Sequence, residues 1–256
     1  MRIKNARKIF LLSAVAALSA CSSNSNKEKI SLELKLTPGE KQTIISRVET
    51  NGGPMMQINN SIVTDFEVVG IDSQNLYRLV ADIKQISTET KIEGQTESYD
   101  SERDEADMTS DQKSMHAEFK DILNSTFTLS LNKKGTIVNP FEYSDGRPVT
   151  APIVDMDNIQ LVFPDKKVAV GDSWEKERNN SLTGQKIKSV YTIKDISGRQ
   201  ITIKVRSTIS GLSSLLQETK TIGQYILDKE TCKLKKATIE SNAQMGGKIT
   251  LTYIVQ

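Results

Sequence analysis

The sequence predicts a mainly β protein, β-rich α+β, built on a strongly curved antiparallel sheet or half-barrel with one or two helices capping its concave face. Three observations carry that expectation. Runs that alternate apolar and polar residues, rich in Ile, Val and Thr, recur through most of the 256 residues. Short Gly, Asn and Asp turns separate them, as in an antiparallel meander. Clear helical periodicity is confined to one segment near residue 115.

The first twenty residues stand apart from that pattern. Arg2, Lys4, Arg7 and Lys8 precede an apolar run from Ile9 to Leu18, and Leu18-Ser19-Ala20-Cys21 closes it. A basic region, a short apolar core and a small-residue exit form a secretory signal, and the core is too short to span a bilayer as a mature helix. Residues 1–20 are therefore expected to be cleaved, leaving Cys21 as a lipidated N-terminus. Ser22–Lys29 is polar and small, the composition of a flexible tether. Cleavage removes four basic residues and no acid, so the formal net charge of +2 becomes −2. The basic character belongs to the precursor, and no nucleic-acid partner is expected.

From residue 30 to 256 a single β-rich domain is expected, with two similar halves at about 30–138 and 165–256. Ile30–Leu36 alternates as a strand, and Thr37-Pro38-Gly39 turns the chain into Gln42–Thr50. Asn51-Gly-Gly-Pro54 leads to Ile58–Val69, and Leu76–Ile92 follows. The acidic stretch Glu97–Asp111 interrupts the β pattern. Thr109-Ser-Asp-Gln112 matches a capping box and opens a helix over Ser110–Asn124, with Met115, Phe119, Ile122 and Leu123 on one face. Thr126–Leu131 and Gly135–Val138 read as a hairpin. The Pro-rich region Asn139–Pro164 leaves room for a short helix near Ile153–Val162. Six further strands are expected at Trp174–Ser181, Ile187–Ile196, Gln200–Ile209, Gly223–Asp228, Leu234–Ala243 and Lys248–Val255. The total expected is about ten or eleven strands.

Catalytic equipment is sparse. His116 is the single histidine, and no Gly-x-Ser-x-Gly or His-Glu-x-x-His surrounds it. It reads as an exposed helix residue. An EF-hand counted from Asp100 would need Gly sixth and Glu twelfth, where the chain has Glu105 and Asp111. Once Cys21 carries its lipid, Cys232 has no partner for a disulfide. With no His near it in sequence, it reads as an incidental turn residue. Trp174 reads as a plug at one end of the sheet, or as a platform for a sugar or an apolar ligand.

Three patches together resemble an uncharacterised family of secreted bacterial lipoproteins. They are the lipobox ending in Cys21, Tyr99-Asp100-Ser101, and the run from Phe163-Pro164 through Val170-Gly171-Asp172-Ser173-Trp174. The resemblance implies a half-barrel similar to the lipoprotein carriers LolA and LolB and to mycobacterial lipid-binding lipoproteins. It brings no catalytic residues. Where such sequences often have Thr-Gly, this chain has Thr231-Cys232, and Gly would better suit a left-handed turn.

The expected function is a non-catalytic envelope lipoprotein that binds a lipid or other apolar ligand. The alternative is a structural or accessory envelope protein acting through protein–protein contacts. Cys21 is the lipid-attachment residue, and Trp174, Met115 and Phe119 are the candidate ligand-face residues. No catalytic residue, metal or cofactor is expected. The expected partners are the membrane, through the lipid on Cys21, a lipid or apolar ligand, and an envelope protein. The expected location is the bacterial cell envelope, at the outer membrane, on either its periplasmic or its surface-facing side. A filled, side-chain-packed interior with no cavity of about 300 Å3 would overturn the binding reading.

Overall fold

A computed structural model of the chain describes residues 28–53, 55–147, 161–180, 184–211, 218–242 and 247–256. The expected leader, Cys21, the expected tether as far as residue 27 and the helix expected at 153–162, apart from its last two residues, lie outside the described residues.

Alternation decides which side chains meet. In β3 (Tyr77–Ile92), Tyr77, Leu79, Ala81 and Ile83 are buried while Arg78 and Lys84 face solvent. Its neighbour β2 (Met56–Ile71) sets Phe66 opposite Ala81 and Val68 opposite Leu79, so one face of the pair is continuous hydrocarbon. Val63 pairs with Gln85 and Thr64 with Ile83, which leaves Lys84 unopposed. That bulge shifts the phase of β3, and the buried row continues at Ile86 instead of Gln85.

The other strands are β1 (Lys41–Asn51), β4 (Gln95–Asp100), β5 (Thr126–Leu131), β6 (Ile137–Tyr143), β7 (Ser173–Asn179), β8 (Lys186–Ser197), β9 (Gln200–Ser210), β10 (Thr219–Asp228), β11 (Leu234–Asn242) and β12 (Lys248–Val255). They join one twelve-stranded antiparallel sheet in the order β6-β5-β3-β2-β1-β12-β11-β10-β9-β8-β7, with β4 paired to the far end of β3. Two meanders thus run outward from a central seam where β1 pairs with β12. Among the described residues β6 and β7 end the strand order without pairing to each other, so the sheet is not closed. β7 carries Glu175, Lys176, Glu177 and Arg178, and such charges discourage further strand pairing at an edge.

The sheet curls. β5 and β11 lie five strand spacings apart, about 24 Å across a flat sheet. Yet Leu129 and Leu131 of β5 line the same cavity as Leu234 of β11. Two buried clusters cover the concave face. One spans β7 to β12, with Trp174, Tyr191, Ile203, Tyr225 and Tyr253. The other spans β2 to β5, with Phe66, Leu79, Ile83, Tyr99 and Phe127. Leu34 and Ile44 pack against both.

Two expectations about elements change. Ile30–Leu36 is extended but is not a strand of the sheet, and its one ladder contact is the bridge between Ile30 and Val168. Its alternation reflects burial across the concave face, where Leu32 is fully enclosed. The turns on both sides and β3 bond its backbone instead: Leu34 N donates to Lys133 O (2.8 Å), Lys35 N to Thr231 O (2.9 Å) and Tyr77 Oη to Leu34 O (2.9 Å). Conversely, β4 is a strand that has no apolar alternation, because Tyr99 alone among its residues is buried.

Helix α1 (Ser110–Leu123) forms as its sequence predicts. Thr109 and Gln112 make a reciprocal capping box, and the carboxamide of Gln112 donates to Ser98 O (2.6 Å), fastening the helix to β4.

Candidate functional site

The site begins at the turn that brings the chain out of Ile30–Leu36. Gly39 adopts φ +85°, and Glu40 then enters β1 with its carboxylate turned back on that turn. Thr37 N donates to Glu40 Oε2 (3.2 Å), and Gln42 Nε2 donates to Glu40 Oε1 (2.7 Å). Lys233, from the turn before β11, gives its ammonium to the same Oε1. Burial pushes the Glu40 carboxyl up, but the hydrogen bonds from Lys233, Gln42 and Thr37 outweigh it and hold the group below its ordinary value.

Beneath this ion pair lies a cavity of about 160 Å3. Each surrounding element supplies hydrocarbon: Leu36 from the crossing segment, Ile44 from β1, Phe66 from β2, Leu131 from β5, Phe163, and Leu234 from β11. Glu40, Gln42 and Lys233 are the only side chains with charged or amide groups among the lining residues. The half-buried Leu36, Ile137 and Leu234, together with those polar groups, mark the side that reaches solvent. The volume is below the roughly 300 Å3 low end of whole-ligand pockets. It is close in volume to an apolar void able to hold a ring of about six carbons. The crossing segment, filling the concave face, is the physical reason the space is smaller than expected.

None of the three candidate ligand-face residues lines this cavity. Trp174 is buried in the cluster under β7, where its ring stacks on Tyr191 (5.3 Å, 19°) and its Nε1 donates to Val162 O (2.8 Å). The motif before it is a latch. Gly171 takes φ +94°, Gly171 N donates to Ile193 O (2.9 Å), Ile193 N to Asp172 O (3.0 Å), and Ala169 N to Asp172 Oδ2 (3.0 Å). Met115 and Phe119 sit half-buried under α1, with the Phe119 ring 5.7 Å from that of Tyr99. They cover the concave face over β3 and β4, away from the void. Cys21 lies outside the described residues.

His116 departs from the exposed position expected of it, whereas Cys232 is a turn residue, as expected. His116 is half-buried, and its Nδ1 lies 3.1 Å from Tyr99 Oη. Cys232 is buried, lines the cavity and takes φ +54°, the left-handed geometry of a turn position suited to Gly. Burial pushes its thiol up, which leaves little thiolate for chemistry. Among the described residues no group of three or more His, Cys, Asp or Glu side chains is placed to hold a metal ion.

A second depression, about 510 Å3, lies on the outer face between β1, β2, β3 and β4. Arg47, Glu49, Glu89, Asp100 and Arg103 line it with charges of both signs. Its walls are polar and solvated, unlike the mostly apolar lining of small-molecule sites.

Sequence reasoning missed the residues that form the cavity. Strand alternation places Ile44, Phe66 and Leu131 on inward faces, but nothing in it says which inward residues border empty space. Glu40 and Lys233 carry no local motif at all.

Comparison with known proteins adds the fold and little more. Residues 155–254 match the model of a family of unknown function, DUF6263, and this span includes the latch before Trp174. No curated protein matches the chain. Among solved structures, the chain is similar to lipovitellin, in a structure described for its lipid–protein interactions, with a TM-score of 0.54 and 10% identity. That likeness covers 87% of this chain and spans a quarter of the lipovitellin chain, and it is a likeness of fold.

Proposed function

We propose that this protein is a non-catalytic module of the bacterial cell envelope that binds a lipid or other apolar ligand, held at the outer membrane by a lipid on Cys21. The observation that carries the reading is the hydrocarbon-lined cavity on the concave face, open beside a single ion pair. The likeness in fold to lipovitellin supports it. The cavity is smaller than the roughly 300 Å3 of a whole-ligand pocket but is not filled, so the reading narrows to a ligand of which about six carbons are held, the rest lying outside or displacing Ile30–Leu36.

Native mass spectrometry of the full chain purified from its own host tests the proposal. The expected result is a co-purifying hydrocarbon-bearing molecule that is lost when Ile137→Phe fills the cavity from β6. An unliganded chain whose cavity also takes up no added hydrocarbon would contradict it.

One observation favours a second reading, an accessory protein working through surface contacts. Met55 and Ile92 are 63% and 49% exposed, and Met56 sits opposite Ile92, making an apolar tip at the far end of β2 and β3. Cell crosslinking that recovers a partner from wild type, and loses it in Met55→Ser/Ile92→Ser, is the result that reading expects.

A further inference from the structure

Resting on the binding reading above, we propose that the cavity selects hydrocarbon chains with an uncharged polar head, such as an alcohol, ester or amide, and rejects chains ending in an ionised carboxylate. The selection follows from which groups stand at the mouth and how they are committed. Lys233 is the one cation among the lining residues, and its ammonium is already neutralised at contact by Glu40. Both side chains are largely buried, 23% and 19% exposed, so water screens what enters beside them only in part.

Glu40 is not free to swing aside. Thr37 N holds one of its oxygens, and Gln42 and Lys233 hold the other. A ligand carboxylate reaching for Lys233 would therefore arrive next to a fixed carboxylate, in a setting where like charges repel strongly. A neutral head meets no such repulsion. Lys233 has ammonium hydrogens beyond the one given to Glu40, and Gln42 has an amide oxygen beside the amide nitrogen used on Glu40. A hydroxyl, ester or amide can use both kinds of partner while its chain occupies the apolar void.

The test uses the full-length chain with Cys21→Ser, which carries no lipid, and two probes of equal chain length, 1-octanol and sodium octanoate. Titration calorimetry at pH 8 should show octanol binding at least about tenfold tighter than octanoate. Glu40→Gln, which keeps the shape but removes the opposing charge, should shrink that ratio at least about fivefold or invert it. A second measurement needs no further variant. From pH 8 to pH 5 octanoate should bind progressively more tightly as its neutral acid form grows, while octanol affinity stays flat.

Octanoate binding as tightly as octanol at pH 8, or a ratio unmoved by Glu40→Gln, would overturn the selectivity and leave the apolar cavity standing. Failure of both probes to bind would overturn both.

Discussion

Glu40 and Lys233, 193 residues apart in sequence, form one ion pair at the solvent side of the apolar cavity. Glu40 leads into β1 and Lys233 leads into β11, strands separated in the sheet by β12 alone. The contact therefore ties the two meanders together across the central seam. Its stability contribution and the chemistry of the cavity mouth are properties of the same two side chains.

Removing that charge should cost stability in a pH-dependent way. Glu40 is held below its ordinary value of 4.5, so its stabilisation is full above that value and is lost as pH falls through the lower folded-state value. Glu40→Gln should destabilise the domain by about 1–2 kcal/mol at pH 7, since the pair is largely but not wholly buried. Urea unfolding of variant and wild type should show the gap closing once the pH drops well below 4.5. A gap that persists unchanged at pH 2.5 would argue that lost packing, not charge, is responsible.

Asp228 should resist acid longer. Hydrogen bonds from Thr231 Oγ1 (2.9 Å), Thr231 N (3.0 Å) and Glu230 N (3.1 Å) hold its carboxyl down to about 2. Its stabilisation is full above 3.8 and is lost only as pH falls through about 2. Asp228→Ala should cost about 1–2 kcal/mol and loosen the turn that presents Cys232 and Lys233. At pH 3 most of that cost should still be measurable.

Trp174 should behave as a core residue. Trp174→Phe removes the hydrogen bond to Val162 O and part of the stack on Tyr191, for an expected loss of about 1–3 kcal/mol. As the single Trp of the chain it is also a clean optical probe. Its fluorescence should be blue-shifted in the folded state and unchanged when 1-octanol fills the cavity. A change in emission on binding would put the ligand against β7.

Gly135, at the tip of the β5–β6 hairpin, has φ +77°, and a Cβ there would lie 2.4 Å from Leu161 O. Gly135→Ala should destabilise by about 2 kcal/mol or more and should open the cavity wall on that side. Thermal unfolding read together with octanol affinity separates the two effects.

Strand positions were legible because a half-buried strand writes its burial into every second residue, as at Leu79, Ala81 and Ile83. The helix was legible because Thr109 and Gln112 cap it locally. β4 was not, since Tyr99 is its single inward residue, and Ile30–Leu36 misled because alternation reports burial and not hydrogen-bonded pairing. The cavity was illegible for a different reason. Leu36, Ile44, Phe66, Leu131, Phe163 and Leu234 meet only once the sheet has curled, and curvature has no local code. Trp174 drew attention by being the single Trp, while its partner Tyr191 gave no sign of the stack that buries it.

Cys232 offers the most direct test of the cavity as a binding site, because its buried thiol lines the void. In the full-length chain with Cys21→Ser it is the one remaining thiol. The rate of its modification by a small thiol reagent should fall severalfold in saturating 1-octanol and recover when the alcohol is removed. An unchanged rate at saturation would contradict a ligand in this cavity.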